Sequence, residues 1–96
     1  MKKLSATDVQ SALSDLSDWT ISNEKLHREY KFADFVHAFG FMTMAAIVVE
    51  QMAHHPEWFN VYDTVTVDLT THDVGGISTK DVELAMKLDT LFAKFL

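Results

Sequence analysis

Glu50, His54, His55, Tyr62, His72 and Asp81 are the residues of this chain whose types and spacing could do chemistry. Three of the five histidines fall between positions 54 and 72, near carboxylates and with no lysine or arginine among them. Imidazole has the unperturbed pKa nearest neutrality, so such a cluster suits proton transfer or metal binding. Glu50 and His54 are four apart, on one face of a helix, so the carboxylate could orient the imidazole. Pro56 pushes His55 out of the helical region, which lets two adjacent rings point differently while staying close. If the end of the strand carrying His72 lies beside the end of that helix, three imidazoles line one cleft.

Plainer readings compete. His-His-Pro at a helix end also serves as a simple C-cap, and a strand-terminal His72 can be merely solvated. His27 and His37 read as surface or boundary residues. Three His and a Glu are zinc-ligand types, but adjacent His54 and His55 are poor ligand spacing because neighbouring side chains diverge. The expectation is no metal and no other cofactor. Trp58, Phe59 and Tyr62 could stack on a flat ring, although aromatics in a strand usually serve the core.

These residues need elements to position them. Ser5-Ala-Thr-Asp8 is a capping-box-like start for a short helix with Val9, Ala12, Leu13 and Leu16 on one side. Trp19–Ser22 reads as a short strand, Asn23-Glu-Lys25 as a polar turn, and Leu26–Phe32 as a strand with Leu26, Arg28, Tyr30 and Phe32 on one face. A long helix is expected from about Ala33 to about His54, with Asp34 in its first turn and Pro56 as its stop. Phe35, Phe39, Met42, Ala46, Val49 and Ala53 form its expected core stripe. Phe41, Met44, Ala45, Ile47 and Val48 make much of the rest apolar, so a second subunit is expected to cover the other side. Trp58–Thr71 is one bent strand or two strands turning near Asp63, with Val65, Val67, Leu69 and Thr71 sharing a face. Gly75-Gly76 is a loop, and Ser78-Thr-Lys-Asp81 caps a last helix striped by Leu84, Leu88, Leu91, Phe92 and Phe95. The order of helix, two strands, helix, two strands, helix predicts an α+β fold of two layers: a four-stranded antiparallel sheet with three helices on one face.

Composition bounds the rest. Ninety-six residues make a single domain spanning 1–96. The net charge of −6 opposes binding to a nucleic-acid backbone. The absence of cysteine removes disulfides and cysteine–zinc sites. Met1-Lys-Lys-Leu-Ser lacks the apolar stretch of a signal peptide, and the near-apolar run from Ala38 to Val49 is too short for a bilayer. A soluble cytoplasmic protein with no membrane partner is expected. Its 48% hydrophobic content is high for so small a chain and again points to an oligomer interface.

The sequence resembles the pterin-4a-carbinolamine dehydratases, known in animals also as dimerisation cofactors of a homeodomain transcription factor. Their motif is an acidic residue, three positions, His-His-Pro, five positions, an aromatic, nine positions, His, then Asp. Here it is Glu50, His54-His55-Pro56, Tyr62, His72 and Asp81, with every gap matched. Phe39-Gly-Phe-Met42, His54–Tyr62, Thr71-His72 and Trp19 extend the likeness from about Leu4 to about Ala93. The resemblance implies a lyase that dehydrates 4a-hydroxytetrahydropterin to quinonoid dihydropterin in tetrahydrobiopterin recycling. His54 and His72 match its two proton-transfer histidines and His55 its substrate-holding one, with Glu50 tuning His54. Substrate contacts fall at Ala53, His54, His55, Thr70, Thr71, His72, Asp73 and Asp81. Ala53 stands where animal members tend to carry a polar residue, which bears only on a side-chain contact. Asp81 would orient His72 or stabilise its helix start. The family's assembly implies a homodimer or homotetramer. Two other roles stay open: a protein-interaction module like the transcription cofactor, and a pterin-binding role linked to molybdopterin enzymes.

Overall fold

A computed structural model describes residues 1–96. The element order is α1 (Ala6–Leu13), β1 (Thr20–Ser22), β2 (Lys25–Lys31), α2 (Phe35–Met52), β3 (Glu57–Val61), β4 (Thr64–Leu69) and α3 (Thr79–Phe92), with 3-10 turns at His72–Val74 and Ala93–Phe95. The strands form one antiparallel sheet in the order β1-β2-β4-β3. Two tight hairpins, β1–β2 and β3–β4, are thus joined along a β2–β4 seam. Asn23 and Glu24 both adopt positive φ at the first turn, the conformation whose twist matches paired antiparallel strands.

Period-two alternation sorts the sheet into two faces. Leu26, Tyr30, Phe32, Val65, Val67 and Leu69 point inward and are buried. They join Val9 of α1, Ala38, Phe41, Ala45 and Val49 of α2, and Leu84, Ala85, Leu88 and Leu91 of α3 in one cluster. The helices therefore cover one face, as the α+β expectation had it. His27, Asp68, Glu57 and Phe59 lie on the open face, since Glu57 stands opposite Asp68, Asp68 opposite His27 and Phe59 opposite Thr66.

The long helix departs from expectation in bounds and in phase. It is shorter at both ends because Asp34 is its N-cap, accepting the His37 N–H at 2.8 Å, and Ala53 is its C-cap. Its buried side is Ala38, Phe41, Ala45 and Val49, whereas Phe35, Phe39 and Ala46 of the expected stripe are exposed. Phe41, read as outward, is fully buried. With apolar residues on nearly every side, periodicity could not fix the phase. Packing fixes it: Ala38 and Ala45 are small, and the Phe41 ring enters an aromatic cluster with Tyr30, Phe32 and Phe92. Met44 and Ile47 do face outward. By length and composition alone α2, taken over all of Phe35–Met52, passes for a membrane-crossing helix, a test that the core helix of a folded domain also meets. Here its buried side packs on the sheet instead.

A polar node fastens α3 to the first hairpin. Asp89 Oδ1 accepts from Tyr30 OH at 2.6 Å, Arg28 Nη1 at 2.8 Å and Trp19 Nε1 at 3.0 Å. Burial, then the hydrogen bond to Asp89, pushes the Tyr30 phenol far above its usual range.

Candidate active site

The chain brings five element ends to one end of the sheet. Leu26 pairs with Leu69 and Glu57 with Asp68. The first hairpin turn, the start of β3 and the end of β4 are therefore neighbours. The end of α2 leads directly into β3, and the first turn of α3 closes on the residues after β4.

Ala53 makes the first of these junctions. It takes the left-handed conformation at φ 53° and ψ 39°. Its N–H bonds to Glu50 O and the His54 N–H to Val49 O, the paired bonds of a Schellman motif. The motif ends the helix before His54 and turns that side chain inward. A glycine is usual at such a position, and alanine there is strained. Sequence pattern alone carries the helix on to His54, because nothing in an alanine marks such a stop.

His54 is buried, with 9% of its surface exposed. Its Nε2 lies 2.6 Å from Asp81 Oδ1. Asp81 Oδ2 accepts from Thr71 Oγ1 at 2.7 Å and from the Ser78 N–H at 2.9 Å. The Thr71 proton goes to Asp81, so the 2.7 Å contact between Thr71 Oγ1 and Ser78 Oγ is donated by Ser78. Both oxygens of this fully buried carboxylate are thereby satisfied, which its burial demands. With Nε2 donating to Asp81, Nδ1 is the acceptor nitrogen of neutral His54. Nδ1 has no protein partner, and the only buried side-chain nitrogen or oxygen without one is Arg28 Nε. Nδ1 therefore reaches solvent.

Two carboxylate expectations are revised as a result. Asp81 does stabilise the start of its helix, through the capping box with Ser78, but the imidazole it holds is that of His54, not His72. Glu50 is paired with His55, at 3.0 Å between Oε1 and Nε2, and both are exposed. The Schellman turn explains this: it carries His54 inward, away from the helix face it would have shared with Glu50.

His72 lies in the 3-10 turn after β4, not on the strand itself. Alternation sends Thr71 inward to Asp81 and His72 outward to the open face. There its Nε2 is 3.3 Å from Glu57 Oε2. Glu57 Oε1 is also 2.5 Å from Lys25 Nζ. The Lys25 hydrogen bond is the main reason the Glu57 carboxyl sits below the usual carboxylate range, and the same bond raises the Lys25 ammonium. His72 and Thr70 line a polar cavity of about 230 Å³ with Asn23, Glu24, Lys25, Gly75 and Gly76. Neither His54 nor His55 lines it. The three imidazoles thus gather at one end of the sheet but not in one cavity. Asp73 is exposed in the same turn as His72. No three His, Asp or Glu side chains are grouped as metal ligands. Tyr62 sits at the β3–β4 turn with φ 51°, at the opposite end of that hairpin.

A larger cavity of about 600 Å³, between α1 and the β1–β2 hairpin, contains none of the candidate residues. Its lining is mostly apolar, with Lys3 and Glu24 its charged side chains and no imidazole, so the proton-transfer candidates lie elsewhere. Neither Glu57 nor Lys25 is among the candidates that spacing picks out. The signal was available in the alternation of β3, which places Glu57 on the same face as His72, but Lys25 comes from a strand pairing that spacing does not reveal.

Known proteins share this arrangement of sequence and fold. The family model described as pterin 4 alpha carbinolamine dehydratase matches residues 2–91. A Solibacter usitatus protein, provisionally named a pterin-4-alpha-carbinolamine dehydratase, is 67% identical over 91 residues, covering 95% of this chain and 96% of that protein. A Prochlorococcus marinus protein with the same provisional name is 49% identical over 88 residues, covering 92% of each. The crystal structure of a transcriptional coactivator/pterin dehydratase from Brucella melitensis superposes with a TM-score of 0.91 at 39% identity, covering 94% of this chain and 98% of that one.

Proposed function

Because the chain belongs to the pterin-4a-carbinolamine dehydratase family, we propose that it removes water from a 4a-hydroxytetrahydropterin to give quinonoid dihydropterin. The C4a–O bond breaks as the hydroxyl is protonated and leaves as water. N5 gives up its proton, and its electron pair forms the new C4a=N5 double bond. One acid and one base suffice, without a metal or redox step.

The observation that carries this reading is the His54–Asp81 pair. A buried carboxylate fixes one ring nitrogen and leaves the other to exchange a proton with substrate. His72, held through Nε2 by Glu57, is the second proton-transfer group. His55, exposed beside Glu50, holds substrate, with further substrate contacts from Thr70, Thr71, Asp73 and the backbone at Ala53. Asp81 acts through His54. This reading places the protein in tetrahydropterin recycling in the cytoplasm.

A protein-interaction role is favoured by one further observation. Phe35, Val36, Phe39, Met44 and Ile47 are exposed along α2, a larger apolar row than isolated surface residues make. A second copy of the chain is the occupant we propose for it, giving a dimer or tetramer. The Brucella melitensis protein is described as a coactivator, which makes a heterologous partner the alternative.

Stopped-flow absorbance on a freshly generated 4a-hydroxytetrahydropterin tests the enzyme reading. Acceleration that persists in a chelator is expected. A rate no faster than the spontaneous one would overturn it, and loss of activity in chelator would point to a metal.

A further inference from the structure

We propose that Glu57, anchored by Lys25, is the positioning residue for His72. The inference rests on the dehydratase reading and deepens it, because neither residue belongs to the motif that carries that reading.

His72 needs such a partner more than His54 does. Its side chain is 81% exposed, so packing does not select one orientation of the ring. A lone exposed ion pair holds weakly, since the ordering of two side chains offsets its attraction. Here Glu57 is not free to wander. Its other carboxylate oxygen is taken by Lys25, and its Cα is fixed opposite Asp68 in the β3–β4 ladder. The three side chains come from three places in the chain: the start of β2, the start of β3 and the turn after β4.

The charge arrangement has a further reason. Glu57 and Asp68 stand directly opposite each other on the open face, a like-charge pairing that costs stability unless compensated. Lys25 compensates Glu57, and His27 sits 2.7 Å from Asp68. Each acid thus has its own basic partner from β2, and Glu57 keeps one oxygen for His72. The groups facing His72 are Glu57 and, across the cavity, Lys25 and Glu24, with Asp73 next to it in its own turn.

The consequence parallels the buried pair. Both imidazoles are met at Nε2 by a carboxylate, Asp81 for His54 and Glu57 for His72. In each, Nδ1 is left for the substrate. The buried pair is held by packing and three further hydrogen bonds, whereas the exposed one depends on Lys25.

A double-mutant cycle tests this. Glu57→Gln should lower kcat about three- to tenfold with KM little changed. In a His72→Ala background the same substitution should change kcat by less than a factor of about two, because the residue it acts through is gone. A merely structural Glu57 would lower kcat equally in both backgrounds, and that result overturns the proposal, as does an unchanged kcat in Glu57→Gln. A measurement independent of turnover accompanies it: carbethoxylation of His72 by diethyl pyrocarbonate, mapped by mass spectrometry with His55 as internal reference. Freeing Nε2 in Glu57→Ala should speed modification of His72 about threefold and leave His55 unchanged. An unchanged His72 rate overturns the contact. Failure of the wild-type protein to accelerate dehydration would instead overturn the dehydratase reading, and the modification rate would still decide whether Glu57 holds His72.

Discussion

Asp81 does two jobs with one carboxylate. One oxygen holds His54 Nε2 at 2.6 Å, and the other accepts the Ser78 N–H that opens α3. The capping box at the start of α3 is therefore also the support of the candidate acid–base histidine.

Asp81→Asn keeps the volume but replaces one acceptor oxygen by a donor, which must meet the Thr71 and Ser78 donors or force His54 Nε2 to become the acceptor. A stability loss of about 1–3 kcal/mol is expected from the mismatched buried group. The loss of kcat should exceed what that explains at a temperature where the variant is fully folded, because the His54 ring loses its fixed tautomer. Denaturant melts together with steady-state kinetics check both. A variant destabilised but fully active would show that the carboxylate serves only the helix.

The three histidines should separate by kinetic parameter. His54→Ala and His72→Ala should each mainly lower kcat. General acid–base loss typically costs about 10²- to 10⁴-fold, and the ease of the spontaneous dehydration puts the expectation at the low end. His55→Ala should mainly raise KM, as loss of ground-state binding does. The double variant at 54 and 72 should lose nearly all acceleration. If His55→Ala most damaged kcat while His54→Ala was silent, the proton-transfer role would belong to His55 and the binding role to His54.

Tyr30 sets an alkaline limit. Its folded pKa lies above the unfolded value of about 10. The stabilisation it contributes is fully present below that unfolded value and is lost as pH rises through the folded one. Stability should therefore fall above about pH 10, by up to about 1.4 kcal/mol per pH unit from this group. Urea melts at a series of alkaline pH values should show this slope in the wild type and a shallower one in Tyr30→Phe. Equal slopes would remove Tyr30 as the cause.

Much of this architecture is legible in the sequence. The alternation in Leu26–Phe32 and in Val65–Thr71 marks both central strands and their buried faces, and Ser78–Asp81 marks the start of α3. The phase of α2 is not legible. Nearly every side of that helix is apolar, so only the small Ala38 and Ala45 and the aromatic pocket around Phe41 could choose the inner face. Apart from Tyr62, which lies at the far turn, the candidate residues are legible as a group near one end of the sheet, but not as a set of pairs. Helical spacing joins Glu50 to His54. A left-handed alanine, which nothing in its side chain announces, breaks that pairing and gives His54 to Asp81.

The outer face of α2 should report assembly. Phe39→Asp and Ile47→Asp lie on exposed positions and should leave the fold intact while shifting a dimer or tetramer towards monomer. Light scattering at micromolar concentration checks this. A wild-type monomer under those conditions would contradict the proposed second copy.

The β3–β4 hairpin also implies an order of events in folding. Its turn lies at Tyr62-Asp63, and His54 and Thr71 flank its open end. Hairpins close in microseconds from the turn outward, whereas the β2–β4 seam joins residues as far apart as Leu26 and Leu69 and waits for a long loop to close. Lys25 reaches Glu57 only across that seam, and Asp81 reaches His54 only when α3 docks. The refolding chain should therefore close the β3–β4 hairpin early and reach catalytic competence last.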